Sequence, residues 1–411
     1  MVKHSKVFII AAEVSGDVLG AEIMRAAHSK GGVEFVGLGG QAMQAAGLKS
    51  IFPISDLAVM GIGEVIAKSK TILRRIKHTA DAIVAAKPDI VLTIDSSSFA
   101  VRVIKQVKKA LPGGVFFDKK HLLRTDGPKD LNVRKTKAQD FLFSQGLRPV
   151  ENKKGVFYQN TPHQAVPKFY HFVAPMVWAW GAWRAKKYAG VWDKLFCFFD
   201  FERPYFEKYG LKTESVGYPI YDVASRAIKK TEKKYLTLLP GSRMGEAKKL
   251  MPIYKKIIAA MPGERFAIPT TEPTHEFVKR ETANLPVKLV PFAKRYELYN
   301  QTKTAIAMSG TAVSELAIMR VPTIVVARAN WITALLARVL LRVKYLSLIN
   351  VLAGREIFPE FLGRAANAKN ILAALGAIDA KKIASELAAA DKLWHHGRRA
   401  PAEIIAAELT K

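Results

Sequence analysis

The stretch Tyr235 to Glu246, YLTLLPGSRMGE, constrains the fold of this chain more than any other. Leu236 to Leu239 form a short apolar run with a Lys-rich approach on one side and a Pro-Gly-Ser break on the other, the pattern of a buried strand entering a turn. Beyond the break, Glu246, Leu250, Met251, Tyr254, Ile257 and Ile258 recur at helical spacing. The turn therefore delivers the chain into a helix whose free N–H groups face whatever lies above the strand. Strand, small-residue turn and helix start together make an anion site, and Arg243 adds a planar fork of donors. An ordinary βα connection carrying a surface arginine fits the same residues.

The same rhythm runs through the first half. Val7 to Ala12 reads as a buried strand, Glu13-Val14-Ser15-Gly16-Asp17 as the loop after it, and Leu19 to Ala27 as a helix. Small and acidic residues after a first parallel strand lie where open α/β sheets build their clefts, although Ser15 or Asp17 also suits a helix cap. Phe35 to Gly40 is a second strand, ending in glycines but lacking the full dinucleotide fingerprint. Leu57 to Ile66, centred on Gly61 and Gly63, reads as closely approached backbone or as plain loop. Thr71 to Ala86 has the pattern of a basic amphipathic helix, and Pro88 to Asp95 that of a strand ending in an acid. Asp95 precedes Ser96, Ser97 and Ser98, so it is either a general base at a strand end or a cap. Phe169 to Val173 and Asp193 to Phe199 are further strands. Trp178 and Trp180 between them are core, or the wall of an apolar groove.

Arg226 to Lys234 is polar and basic with little to bury, which marks a linker. Past it, Arg265 to Pro269, Val287 to Val290, Ala305 to Met308 and Val321 to Val326 alternate with helical or loop sequence as strands of a second parallel sheet. Ser309-Gly310-Thr311 is a tight turn into a helix from Ala312 to Met319. Its small residues admit phosphate to backbone N–H groups, and Glu315 lies one turn in, on a face a ribose could reach. A capped helix with a solvent-facing Glu is the competing reading. Trp331 to Val343 suits a helix lying at a membrane surface with Arg338 and Arg342 toward lipid phosphate, or a buried core helix. Ser347 to Asn350 and Ala353 to Glu356 carry groups able to orient a polar ligand.

Composition narrows the class. At 411 residues two domains are expected, and 49% apolar with 24% charged residues is globular, not disordered. The charge of 64 − 35 = +29 calls for an anionic partner. The Lys and Arg residues are dispersed without aromatic interleaving, which argues against nucleic acid. The single Cys197 excludes an internal disulfide and a multi-cysteine metal site. Glu13 interrupts the first apolar run before a signal-peptide core is complete, and no apolar run reaches the roughly 18 to 20 residues that span a bilayer. The expected location is the cytoplasm, touching a membrane from that side. From about 115 to 166, ten Lys/Arg and five Asp/Glu with little periodicity read as a basic insertion in the first domain.

Several segments in order resemble lipid-A-disaccharide synthase: AEVSGDVLGA at 12 to 21, GLGGQAM at 37 to 43, LAVMGIGEV at 57 to 65, Ile94-Asp95, VWAW at 177 to 180, LLPGSRMGE at 238 to 246, SGTAVSE at 309 to 315 and SLINVLAGREIFPE at 347 to 360. The resemblance implies a GT-B glycosyltransferase, an α/β fold of two Rossmann-like domains with parallel sheets facing a central cleft. The first domain would be 1–225 and bind acceptor. The second, 226–411, would bind UDP-sugar, with the final helices free to pack back on the first. The implied reaction condenses UDP-2,3-diacylglucosamine with 2,3-diacylglucosamine 1-phosphate, giving a β-1,6 disaccharide and UDP with inversion. No cofactor is implied, and the chain has no DxD triad for a metal-held diphosphate.

By that resemblance Asp95 is the general base and Glu13 lines the same side, with Ser15, Gly16 and Asp17 at the substrate. Arg243 and Ser309-Gly310-Thr311 would bind diphosphate, while Glu315, Asn350 and Glu356 would hold ribose, uracil or sugar. The partners expected are the two lipid substrates, an anionic membrane surface at the inner membrane and, as an assembly, a homodimer. The chain departs from the family pattern at Ser97, Ser98 and Ala100, where Pro-Asp-Phe-Asn is usual. It departs again at Tyr218, where a His is usual, and at Gly181, where an Arg follows VWAW. Competing functions are another GT-B UDP-sugar enzyme, such as a UDP-N-acetylglucosamine epimerase, or an impaired homologue that only binds membrane or UDP.

Overall fold

The computed structural model describes residues 5–57, 69–111, 147–152, 155–160, 166–328, 344–395, 397 and 399–411. The Gly61 and Gly63 segment, most of the basic insertion and Trp331 to Val343 lie outside the described residues.

Among the described residues, eight strands precede residue 226: β1 (Ser5–Ala11), β2 (Val33–Leu38), β3 (Ile90–Ile94), β4 (Leu147–Asn152), β5 (Gly155–Asn160), β6 (Lys168–Phe172), β7 (Lys194–Cys197) and β8 (Lys212–Ser215). Six of them form a parallel sheet in the order β2-β1-β3-β6-β7-β8. The second half contributes β9 (Tyr235–Leu239), β10 (Phe266–Thr270), β11 (Val287–Pro291), β12 (Thr302–Met308), β13 (Thr323–Ala327) and β14 (Glu360–Leu362). They form another parallel sheet, β11-β10-β9-β12-β13-β14.

The continuous apolar runs read from the sequence follow from burial on both faces. Phe8 and Ile10 of β1 pack with Val91, Phe99 and Val103, while Val7, Ile9 and Ala11 pack on the opposite face with Ile23, Met24 and Leu92. Alternate side chains of one strand point to opposite faces, so a strand covered twice has no polar side. In the second sheet Leu236 and Leu238 meet the Met244–Ala260 helix, and Ala305 and Ala307 meet the Thr311–Ile318 helix.

Strand order changes direction once in each sheet, between β1 and β3 and between β9 and β12. Such switch points leave a crevice at the carboxyl ends of the strands. Register makes those ends level: Ala11 pairs with Ile94, and Ala307 with Leu239.

Two stretches cross between the sheets. Tyr218, after β8, donates its N–H to the Trp394 carbonyl at 2.8 Å, and the two rings lie 5.7 Å apart. The last helix, Pro401–Leu409, returns to the first sheet, burying Ile405 and Leu409 there. Glu408 of that helix meets Lys194 at 3.3 Å.

Four strands escape the sequence pattern. β8 and β14 are edge strands of four and three residues, too short for alternation to register. β4 and β5 pair as an antiparallel hairpin within the basic segment, where the reading expected little order.

Candidate active site

Asp95 follows the last residue of β3, and both Asp95 and Ser96 hold left-handed backbone, with φ of 56° and 35°. Such conformations cost on the order of 1–3 kcal/mol each and persist where surroundings impose them. Here the Asp95 N–H is held by the Phe172 carbonyl of β6 at 2.9 Å. Gly16 brings the loop after β1 close, since a Cβ on it would lie 3.2 Å from the Ile94 carbonyl and 3.5 Å from the Asp95 Cβ.

The result is a fixed pair of acids. Ser15 donates Oγ–H to Asp95 Oδ2 at 2.7 Å, and the Ser96 N–H donates to Asp95 Oδ1 at 2.9 Å. The Ser96 hydroxyl donates to Glu13 Oε1 at 2.6 Å. Each Asp95 oxygen keeps a lone pair beyond its one donor. Asp95 is partly buried, whereas Glu13 and Ser15 are exposed. The N-cap residue Ser96 makes no side-chain cap bond, and the Asp95 carboxylate accepts from the Ser96 N–H at the start of that helix.

Asp17 stands differently from the substrate role the resemblance implied. It is 4% exposed and accepts from the N–H groups of Gly40, Ala42 and Met43 at 2.7, 2.9 and 3.0 Å. Its carboxylate satisfies the start of the Gln41–Ala45 helix, so it is a scaffold residue.

At the second switch point, Arg243 precedes the helix after β9 and Ser309-Gly310-Thr311 follows the neighbouring β12. Gly241 is required there: its φ is 97°, and a Cβ would run into the Glu246 carboxylate. Glu246 reaches back to the Arg243 N–H at 3.3 Å and Nη1 at 3.0 Å, yet the arginine side chain remains 81% exposed. The Ser309 N–H is bound to the Val326 carbonyl, and no side chain caps the helix that starts at Thr311. Its first N–H groups face the crevice.

Glu315 is not the solvent-facing acid of the alternative reading. Its side chain is 5% exposed and accepts from Arg295 Nε and Nη2 and from the Tyr296 hydroxyl at 2.9 to 3.0 Å. The Arg295 guanidinium also lies over the Phe292 and Tyr296 rings. Sequence reasoning missed Arg295, because the partner stands twenty residues before Glu315 with no periodic relation to it.

Asn350 is also corrected. It is fully buried, with its amide donating to the Phe358 carbonyl and Glu360 and its oxygen accepting from the Ile357 and Phe358 N–H groups. That exhausts its donors and leaves no face for a ligand. Glu356 is exposed and lines a cavity of about 340 Å³ with Ile357, Lys382 and Glu386, a lining that includes none of Arg243, Ser309 or Glu315.

Among the described residues no hydrogen bond or ion pair joins the Asp95 group to Arg243 or the Ser309 turn. Among the same residues no group of three or more His, Cys, Asp or Glu is placed to hold a metal ion, and no helix is long and apolar enough to cross a membrane.

Residues 7–117 and 160–394 match the family model described as lipid-A-disaccharide synthetase. A lipid-A-disaccharide synthase of Rhodospirillum centenum is 32% identical over 375 residues, 87% of this chain and 80% of that protein. One from Rickettsia akari is 30% identical over 429 residues, covering 99% and 96%. Among solved structures, a UDP-GlcNAc 2-epimerase of Methanocaldococcus jannaschii in complex with UDP-GlcNAc and UDP superposes with a TM-score of 0.54 at 13% identity, covering 98% of this chain and 99% of that one. MurG of Acinetobacter baumannii gives 0.52 at 13%, with the same coverage. At that identity these two carry the fold alone. The family match and the relatives carry more: this chain belongs to the lipid-A-disaccharide synthetases, glycosyltransferases of two Rossmann-like domains.

Proposed function

We propose that the chain transfers a diacylated glucosamine from UDP to the 6-hydroxyl of a diacylated glucosamine 1-phosphate, forming the β-1,6 disaccharide and releasing UDP. The observation that carries this reading is the Asp95 carboxylate, held at the first switch point by Ser15 and Ser96 with lone pairs left over.

Asp95 takes the 6-hydroxyl proton as that oxygen bonds to the anomeric carbon, and the bond from that carbon to the UDP oxygen breaks with its electron pair. Attack opposite the leaving group inverts the anomeric configuration. General-base assistance of this kind contributes about 10² to 10⁴-fold. Glu13, tied to Ser96, lines the acceptor side. Arg243 and the N–H groups at Ser309 to Thr311 receive the negative charge that develops on UDP. Glu315, locked by Arg295, orients the helix that bears those N–H groups.

The acyl chains of both substrates place the reaction at a membrane surface. The reading assigns the chain to the cytoplasmic face of the inner membrane as a peripheral protein, held by its charge of +29 on anionic lipid, and working as a homodimer.

The test is product analysis with defined diacylated donor and acceptor in detergent, by mass spectrometry and anomeric NMR. A β-linked disaccharide with stoichiometric UDP is expected. Donor hydrolysis alone, sugar epimerisation, or an α-linked product would refute the reading.

A further inference from the structure

The loop after β6 presents a cation that the chemistry above leaves unused. Trp178 donates its indole N–H to Glu202 at 3.2 Å, and Glu202 accepts from the Phe198 and Phe199 N–H groups just past β7. The loop is thereby fastened over the carboxyl end of the first sheet. It then turns at Gly181, whose φ is 67° and whose absent Cβ would lie 2.9 Å from Arg184 Cδ. Glycine takes this left-handed backbone at no steric cost, whereas a larger residue would have to displace the Arg184 side chain from this position.

That turn folds Arg184 back so its guanidinium carbon lies 3.9 Å from the centre of the Trp180 ring. Arg184 Nη2 is 3.4 Å from the Tyr188 hydroxyl. Tyr188 stacks on Trp192, and Trp192 on His171 of β6 with centroids 3.9 Å apart, so the platform is anchored in the core. Among the described residues no carboxylate pairs with Arg184, in contrast to Arg203 and Arg295. With its carbon over the indole and one Nη2–H directed at the Tyr188 hydroxyl, the guanidinium keeps its remaining N–H donors for an oxyanion.

Packing fixes where this cation stands. Ala185, Tyr188, Val191 and Trp192 share one core with Phe99, Val103 and Val107 of the Ser97–Ala110 helix. Lys108, near the end of that helix, donates to the carbonyls of Gly190 and Val191. Helix and segment thus descend the same face of the sheet in the same direction. Arg184, at the top of its segment, stands toward the helix start beside Asp95 and Ser96.

From this placement we infer that Arg184 is the anchor for a phosphate monoester on the lipid acceptor. The inference rests on the transferase reading for the identity of that acceptor. The fork matches two phosphate oxygens, and a charge-assisted contact of this kind is worth about tenfold to a hundredfold in affinity.

The experiment compares acceptor bearing the 1-phosphate with acceptor bearing a free 1-hydroxyl, in neutral detergent, for the unaltered chain, Arg184→Gln and Arg184→Lys. The unaltered chain is expected to favour the phosphorylated acceptor by about tenfold to a hundredfold, carried in acceptor KM. Arg184→Gln brings the two acceptors within about twofold, Arg184→Lys retains part of the preference, and donor KM stays put. Equal loss on both acceptors overturns the assignment. So does an intact acceptor ratio with weakened binding to phosphatidylglycerol vesicles, which would make a bilayer headgroup the ligand. Calorimetric binding of both acceptors to UDP-loaded protein reads the same ratio without turnover. A chain that keeps the Arg184-dependent preference there but forms no disaccharide retains this site and loses the transferase reading.

Discussion

The acids at the first sheet's switch point are held before any ligand arrives, whereas the cationic side of the second is open. Asp95 has a donor on each oxygen, Glu13 is tied to Ser96, and the backbone between them is strained. Arg243 is 81% exposed and, among the described residues, its side chain bonds only to the acid of its own first turn, and the Thr311 helix starts without a side-chain cap. The difference follows from the tasks proposed for the two halves. A proton acceptor must be aimed within hydrogen-bond reach in advance, because reorienting it during reaction raises the barrier. A diphosphate brings its own charge and can draw a free arginine onto itself. What rigidity the second half needs lies behind the turn, in the buried Glu315 and Arg295.

The largest effect should come from the held side. Asp95→Asn keeps the shape and can still accept at its oxygen, but an amide does not take the acceptor proton at neutral pH. A loss of about 10² to 10⁴-fold in kcat is expected, with UDP affinity, measured by calorimetry, within about twofold. A matching fall in UDP affinity would mean that the two halves are not separable in this way.

Next is the ion pair behind the donor turn. Arg295→Met leaves Glu315 buried without its partner, a change of about 3 to 5 kcal/mol. Urea unfolding should show a lowered midpoint, and the double variant with Glu315→Leu should recover most of it. Stability unchanged in the single variant would show the pair to be solvated, contrary to its 5% exposure.

How much of this was legible follows from the same contrast. The alternation of strands and helices, and the position of Asp95 at a strand end, follow from local pattern, because a doubly covered strand must be apolar and its cleft-facing residue follows it. The roles of Asp17 and Asn350 were not legible, since short polar residues near a turn look alike in sequence whether they meet a ligand or a backbone N–H. Only the fold showed Asp17 holding Gly40 and Asn350 holding Phe358. Arg295, Ser96 and Arg184 act through partners distant in sequence or through backbone conformation, for which periodicity carries no signal.

The acid that fastens the loop after β6 gives a pH signature. Burial pushes the Glu202 carboxyl up to about 7, against the N–H groups of Phe199 and Phe198 and the Trp178 indole, which draw it down. The folded protein holds this proton more tightly than the unfolded chain near 4.5, so folding takes up a proton between about pH 4.5 and 7. The stability it contributes is present below that window and lost as pH rises through it, on the order of 3 kcal/mol. Glu202→Gln should flatten this part of the stability curve. An unchanged slope from pH 5 to 7 would mean that the carboxyl titrates as in water.

The smallest effect separates aiming from binding. Ser15→Ala removes the hydroxyl on Asp95 Oδ2 and nothing else the fold needs, since Ser15 is exposed at the start of the Val14–His28 helix, where alanine is well tolerated. The carboxylate then keeps only the Ser96 N–H and can rotate. About a tenfold fall in kcat is expected, at the low end for a hydrogen bond to a charged group because the site is wet, with donor KM unmoved. Arg243→Ala should do the reverse, raising donor KM with a smaller change in kcat, because its side chain is free until UDP arrives. If steady-state kinetics show both variants changing the same constant, the held side and the open side are one site with one role.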